Sequence, residues 1–198
     1  KQIRLARLVE ALGERLLWSC TPYYAGNTPA FGQNVAWAES SAVSFANSVL
    51  GARTNRTPAG LAICAALTGR MPKVGLYRPE HRVASVKVVV DAGELAALDY
   101  HTLGIVLGKR LGTRIPALVG ISPNVTTDDL KALGASAAAS GAIALYHVIG
   151  VTPEACRTDP FGGQPPQEEL RVTRADLETT ARGLTTGNRD RVELVVVG

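Results

Sequence analysis

The chain has 198 residues, a formal net charge of +4, and hydrophobic and charged fractions of 46% and 19%. This is globular composition with enough length for a full core, so intrinsic disorder is excluded, and the 21 Lys and Arg are scattered without the basic runs or interleaved aromatics of a nucleic-acid surface. Three cysteines, Cys20, Cys64 and Cys156, form no CxxC pair and no disulfide framework, and no apolar run reaches the length of a membrane span, so a soluble cytoplasmic protein is expected with neither nucleic acid nor membrane as partner.

Leu5, Leu8, Val9 and Leu12 recur at helical spacing and predict a first helix closed by Gly13. The run LLWSC (16–20) suggests a strand that delivers Cys20 to its end, and the Pro, Gly and Asn of TPYYAGNTPAFGQ (21–33) predict a loop. From Glu39 to Gly51 a helix places Ser40, Ser44, Asn47, Ser48 and Gly51 on one face and Ala42, Phe45, Ala46, Val49 and Leu50 on the other. An exposed amphipathic helix fills its polar face with Lys, Glu and Arg; this face carries hydroxyls, an amide and a glycine, so something approaches it closely and needs hydrogen bonds. Gly51 to Arg56 forms a turn, and Pro58 opens a second small-residue helix running through Ala66 toward Gly69, with Cys64 in its core face.

Beyond this point strands and helices alternate. SVKVVVDA (85–92) reads as a strand, Glu94 to Leu111 as a helix with Leu95, Leu98, Leu103, Val106 and Leu107 inward, and IPALVGI (115–121) as a buried strand. TTDDLKALGASAAAS (126–140) is a helix capped by Thr126 or Thr127, IALYHVIG (143–150) a strand, CRTDPFGGQPPQEEL (156–170) a loop, Val172 to Leu184 a helix capped by Thr173, and RVELVVVG (191–198) the last strand. The pattern predicts an α/β fold, a mostly parallel sheet flanked by helices, with a cleft-lining helical segment over 1–70 and an α/β domain over 71–198. Ligands in such folds collect at the carboxyl ends of strands, here near Cys20, Asp91, Ser122 and the turn after His147.

Several side chains carry candidate chemistry. Cys20, between Ser19 and Thr21-Pro22, is either a small buried hydrophobe or a rigidly placed metal ligand. Arg53, Thr54, Asn55 and Arg56 offer two guanidinium forks with a hydroxyl and an amide between them, suited to a carboxylate or phosphate, or else form a helix-ending turn. His147 is a core histidine or a catalyst, and Glu39 a helix cap or a general acid/base. The dinucleotide, P-loop, zincin and serine-hydrolase motifs are all missing.

The ordered segments CTPYYAGNTPAFGQNVAWAESSAVSFANSVLGARTNR, AALTGRMPKVGLY, IPALVGI, KALGASAAASGAIALYHVIGVTPEA and VELVVVG run along almost the whole chain and resemble the catalytic large part of the aconitase X family. The resemblance implies the layered α/β fold of the aconitase superfamily and a hydro-lyase that eliminates water from a small hydroxy acid. An iron-sulfur cluster would act as Lewis acid, and a small swivelling domain or subunit would complete the cleft. Bacterial members resemble cis-3-hydroxy-L-proline dehydratases and archaeal ones phosphomevalonate dehydratases; the Ala-rich composition favours the proline derivative. A non-catalytic α/β module that binds an anion at Arg53 to Arg56 is the alternative of another class.

By the same resemblance Cys20 is a cluster ligand. Ser40, Asn47, Ser48, Arg53, Thr54, Asn55 and Arg56 bind substrate, and Glu39, Ser40 and His147 are the catalytic candidates, with the base itself unassigned. Tyr77 stands where the family pattern has histidine, Ser41 where asparagine is more usual, and His101 where glycine is expected. The start without Met and the apolar finish point to a piece of a larger catalytic subunit, with further cluster ligands outside this chain.

Overall fold

The structure, a computed structural model, describes residues 2–13, 17, 19–185 and 187. Helix α1 (Gln2–Ala11) forms as predicted but buries no residue; Ile3, Leu5, Leu8 and Leu12 are all exposed. The expected strand at 16–20 is not seen in its described residues, and Cys20 lies in an exposed bend before the short 3-10 turn Pro22–Tyr24. Helix α2 (Ser40–Ser48) follows, capped by Glu39, then α3 (Ala59–Thr68), which ends at Gly69 in the left-handed conformation that suits glycine. Helix α3 buries only Ala65, so Cys64 is exposed, contrary to the core position expected for it.

The remainder is a parallel sheet of β1 (Val86–Asp91), β2 (Pro116–Val119), β3 (His147–Val148) and β4 (Glu168–Thr173), in the order β3-β2-β1-β4. It is flanked by α4 (Ala97–Leu111), α5 (Thr127–Gly141) and α6 (Arg174–Leu184). The predicted α/β class, with a parallel sheet and flanking helices, is thus present. Thr126 and Thr173 cap α5 and α6, each in a reciprocal box with an aspartate three residues on.

Three expectations change in detail. The strand expected over 143–150 shrinks to two residues, because Ala144 and Tyr146 spend backbone groups on the side chains of Asn47 and Ser48 rather than on a ladder. The loop expected over 156–170 ends in β4, at the edge of the sheet among the described residues, whose Glu168, Glu169 and Arg171 pair with Arg114, Lys87 and Asp91. Leu98, expected to face inward, is 78% exposed on α4, while Leu103, Val106 and Leu107 fill the core against Val86, Val88 and Leu118.

Helices α4 and α5 cross with almost no side-chain layer between them. A Cβ on Gly141 would overlap the Gly108 carbonyl, and one on Gly104 would overlap the Leu133 carbonyl. This contact sets the depth at which α5 lies, and α2 packs on α5 in turn, with Gly134 leaving room for Ser44. The expected strand over 191–198 lies outside the described residues.

Candidate active site

The uncharged polar face of α2 is covered by the protein itself. Ser44, Asn47 and Ser48 are all buried. Asn47 donates from Nδ2 to the carbonyls of Thr54 (2.8 Å) and Ala144 (2.9 Å), and its Oδ1 accepts from the Thr54 amide (3.0 Å) and from the Arg82 guanidinium (3.0 Å). Ser48 Oγ accepts from the Tyr146 amide at 2.9 Å. Ser44 Oγ has no partner, confined between Gly134 and the Tyr146 ring. Close approach and hydrogen bonding, as read from composition, are both present, and the approaching groups are backbone apart from the Arg82 guanidinium.

Arg82 holds this cluster together. All five of its N–H groups are used, on Glu154 Oε1 and Oε2, Asn47 Oδ1, the Asn47 carbonyl and the Leu76 carbonyl. Its side chain is 2% exposed and that of Glu154 19%, so the bidentate pair at 2.7 Å is largely withdrawn from water. His147, also buried, donates from Nε2 to the Arg82 carbonyl at 2.9 Å, and its Nδ1 has no partner. Burial outweighs the hydrogen bond and the Glu154 charge and holds the imidazole below its ordinary pKa, so it is neutral. The geometry ties His147 to the cluster and gives it no opening to solvent. Arg82 and Glu154 were not singled out in the sequence: a lone Arg in a loop has no periodic signal, and Glu154 stood only within the GVTPEA segment.

The Arg53 to Arg56 segment lies alongside residues 32–37. Gly32 N donates to the Gly51 carbonyl, Arg53 N to the Gln33 carbonyl, Val35 N to the Arg53 carbonyl and Thr57 N to the Trp37 carbonyl. Gly51 adopts a positive φ of 66°, and a Cβ there would strike the Phe31 ring. Thr54 is buried, and Asn55 clamps the 74–76 backbone through both amide atoms, accepting from Leu76 N and donating to the Val74 carbonyl. Arg53 is half-buried with Nη1 3.4 Å from the Tyr77 carbonyl, and Arg56 is exposed. Tyr77 is buried and donates its hydroxyl to the Val35 carbonyl at 2.8 Å, pinning the 70–77 loop to the 34–37 segment.

On the far side of residues 34–37 lies a cavity of about 720 Å³, bounded by Asn34, Trp37, α3 and the loop from Arg70 to Lys73, with Tyr77 at its wall. Its size suits a small-molecule ligand. Glu39 accepts from the Ala42 amide (2.7 Å) and the Ser41 hydroxyl (2.6 Å), the geometry of a helix cap. Ser40, beside it in the first turn of α2, is half-buried and makes no side-chain hydrogen bond among the described residues. The structure therefore brings Asn47, Ser48, Thr54 and His147 into one buried cluster and leaves Ser40, Arg53 and Arg56 with groups to offer a ligand. The carboxyl-end crevice between β1 and β4 is filled by Arg174, which binds Asp99 and the carbonyls of Ala92 and Glu94.

An iron-sulfur cluster needs several thiolate or imidazole ligands. The three cysteines are separately exposed, and among the described residues no three His, Cys, Asp or Glu side chains stand together as metal ligands. The described residues do not form a cluster site by themselves. Among them there is also no helix long and apolar enough to cross a membrane.

Two family models match the chain: "Aconitase X first domain" over residues 1–80 and "Aconitase X second domain" over residues 84–182. A phosphomevalonate dehydratase large subunit of Methanothermobacter thermautotrophicus is 42% identical over the whole chain, which covers 48% of it. A cis-3-hydroxy-L-proline dehydratase of Pseudomonas aeruginosa is 41% identical over 98% of the chain, which covers 34% of it. The crystal structure of Thermococcus kodakaraensis aconitase X in its holo-form superposes with a TM-score of 0.85 at 41% identity, over 94% of this chain and 47% of that one. The chain spans half or less of the length of these relatives.

Proposed function

The chain belongs to the aconitase X family, and from that premise we propose that it is the cleft-forming part of a hydro-lyase that removes water from a small hydroxy acid. The observation that carries the reading is the match of both domain models in order along the chain, together with the same fold at 41% identity. Relatives that are dehydratases support the enzyme class. Two substrates come with those relatives: cis-3-hydroxy-L-proline, the one favoured by composition, and phosphomevalonate, named for relatives 42–47% identical to this chain. Relatives named as large subunits imply a small-subunit partner.

In this proposal Arg53 and Arg56 hold an anionic group of the substrate, since guanidinium forks pair with carboxylate or phosphate and neither is neutralised by a carboxylate of the described chain. Ser40 offers a hydroxyl at the start of α2, where the helix end favours negative charge. Asn47, Ser48, Thr54 and Asn55 act on substrate through the backbone they fix, and His147 through Arg82; their work is to hold the wall rigid. Glu39 keeps α2 capped. Cys20 enters as one proposed ligand of an iron-sulfur centre completed outside the described residues, and no step is assigned through it.

The test is to purify the full-length protein without oxygen and assay loss of water from each hydroxy acid. Turnover of either supports the reading. Binding of both without turnover favours the alternative, a non-catalytic anion-binding module.

A further inference from the structure

A second cavity, of about 630 Å³, opens at the carboxyl ends of β1 and β2, between the loop entering α4 and the loop entering α5. It shares no lining residue with the first and contains Ser122, one of the strand-end positions where a ligand was expected. Tyr100 of α4 also lines it. The residue is 4% exposed and belongs to the core cluster of Val90, Ile121 and Leu130, yet its hydroxyl has no hydrogen-bond partner among the described residues. Other buried tyrosines differ. Tyr77 and Tyr146 donate to the carbonyls of Val35 and Leu130, and the Tyr23 hydroxyl is sealed inside the protein, whereas that of Tyr100 opens to the cavity. A phenylalanine at position 100 would pack the same core, so packing leaves the Tyr100 oxygen unexplained, and a molecule in the cavity supplies the partner it lacks.

The lining sets the charge of that molecule. Glu94 and Asp129 are its ionised side chains, and no Lys, Arg or His joins them among the described residues. Asp129 spends Oδ2 on Thr126 as the reciprocal partner of the α5 cap, and its Oδ1 is unbonded among the described residues. Glu94 gives Arg174 its carbonyl and keeps its carboxylate unbonded among the same residues. Burial, with the Asp129 and Asp99 carboxylates nearby, holds the Tyr100 phenol above its ordinary pKa, so it stays protonated and can donate or accept. Leu95, Ile121 and Val125 add an apolar wall. No three His, Cys, Asp or Glu of the described chain stand together as metal ligands, and the volume suits a small organic molecule. We propose that this cavity binds a small organic ammonium compound with its cationic head at Glu94 and Asp129, its carbon chain on the apolar wall and a polar tail at the Tyr100 hydroxyl. Carboxylates at a partly enclosed site replace the hydration that the ammonium gives up. The site stands apart from the dehydratase reading and uses none of the residues assigned to it.

Calorimetric titration of the full-length protein and its Glu94→Gln and Tyr100→Phe variants tests this with three matched probes. These are 4-aminobutanol, butylamine, which lacks the hydroxyl, and 1,4-butanediol, which lacks the charge. In the wild type 4-aminobutanol is expected to bind at least about tenfold more tightly than the diol. Glu94→Gln is expected to weaken both amines about tenfold, and Tyr100→Phe to weaken 4-aminobutanol about fivefold while leaving butylamine within about twofold of wild type. Both variants are expected to unfold at the wild-type midpoint, because neither side chain is bonded within the described residues, so a loss of binding is not a loss of fold. Equal affinity for the amino alcohol and the diol overturns the proposal. So does failure of either amine to bind, or amine affinities that are unchanged in both variants.

Discussion

At the scale of single residues, the Arg82 guanidinium decides whether the cleft wall holds its shape. Replacing it by Leu leaves the Glu154 carboxylate and the Leu76 carbonyl without their donor, and Asn47 Oδ1 with only the Thr54 amide, in a site that is mostly dry, a loss of about 3 kcal/mol. Chemical unfolding of the Arg82→Leu variant checks this, and Arg82→Lys is expected to recover little, because an ammonium cannot reproduce the fork. His147 supplies a second prediction. Its folded pKa lies below the ordinary value of 6.5, so the unfolded chain binds the proton more readily. Stability from this group is complete above that value and declines as pH falls below it toward the folded pKa. A His147→Gln variant, which can still donate to the Arg82 carbonyl, is expected to show a flatter unfolding midpoint as pH is lowered below 6.5. Composition alone indicated that the α2 face needs hydrogen bonds. It did not indicate who makes them, because a helical wheel reports a face and not what covers it. Backbone groups of residues 54, 144 and 146, joined by the Arg82 guanidinium, answer that demand, and the backbone groups are invisible to any reading of side-chain type.

At the scale of elements, the glycines of α4 and α5 set the spacing of the whole helical layer. A Gly104→Ala substitution places a methyl onto the Leu133 carbonyl, which neither rigid helix backbone can avoid without moving. The expected cost is about 2 kcal/mol, read as a lowered melting temperature, whereas Gly60→Ala, in the open on exposed α3, is expected to be neutral or mildly stabilising. The helices, their caps and two of the strands were legible because 3.6-residue periodicity, Thr-x-x-Asp boxes and short Val-rich runs are local signals. Strand β4 was not. Its exposed Glu168, Glu169 and Arg171 find their partners in β1 and in the loop after α4, and a strand stabilised by cross-strand charge reads as a polar loop. Strand β3 erred the other way, since an apolar octet looked like a full strand while Ala144 and Tyr146 turn their backbone groups to α2.

At the scale of the molecule, family membership and fold stand together, and the cavity beside residues 34–37 has Arg70 and Lys73 in its lining and no carboxylate. The resemblance in the CTPY and GARTNR segments pointed to this region from sequence. The Arg70 to Lys73 side of the cavity was quoted there only as part of a longer motif, because a loop reveals its charge pattern only once it faces something. Cys20 is exposed in a bend with no partner side chain, a placement open to a cluster supplied from elsewhere. A Cys20→Ala variant of the full-length protein is therefore expected to lose most of its bound iron while keeping the wild-type melting profile of this region; iron analysis and absorption spectroscopy check it.

The proposed function turns on one property, that this chain forms the cleft of a dehydratase. Its most direct test follows the loss of water by NMR, with the anaerobically purified full-length protein mixed with phosphomevalonate in one sample and cis-3-hydroxy-L-proline in another. An unsaturated product and a matching loss of substrate are expected in at least one of the two samples. No dehydration in either sample, from protein that is folded and iron-loaded, contradicts it.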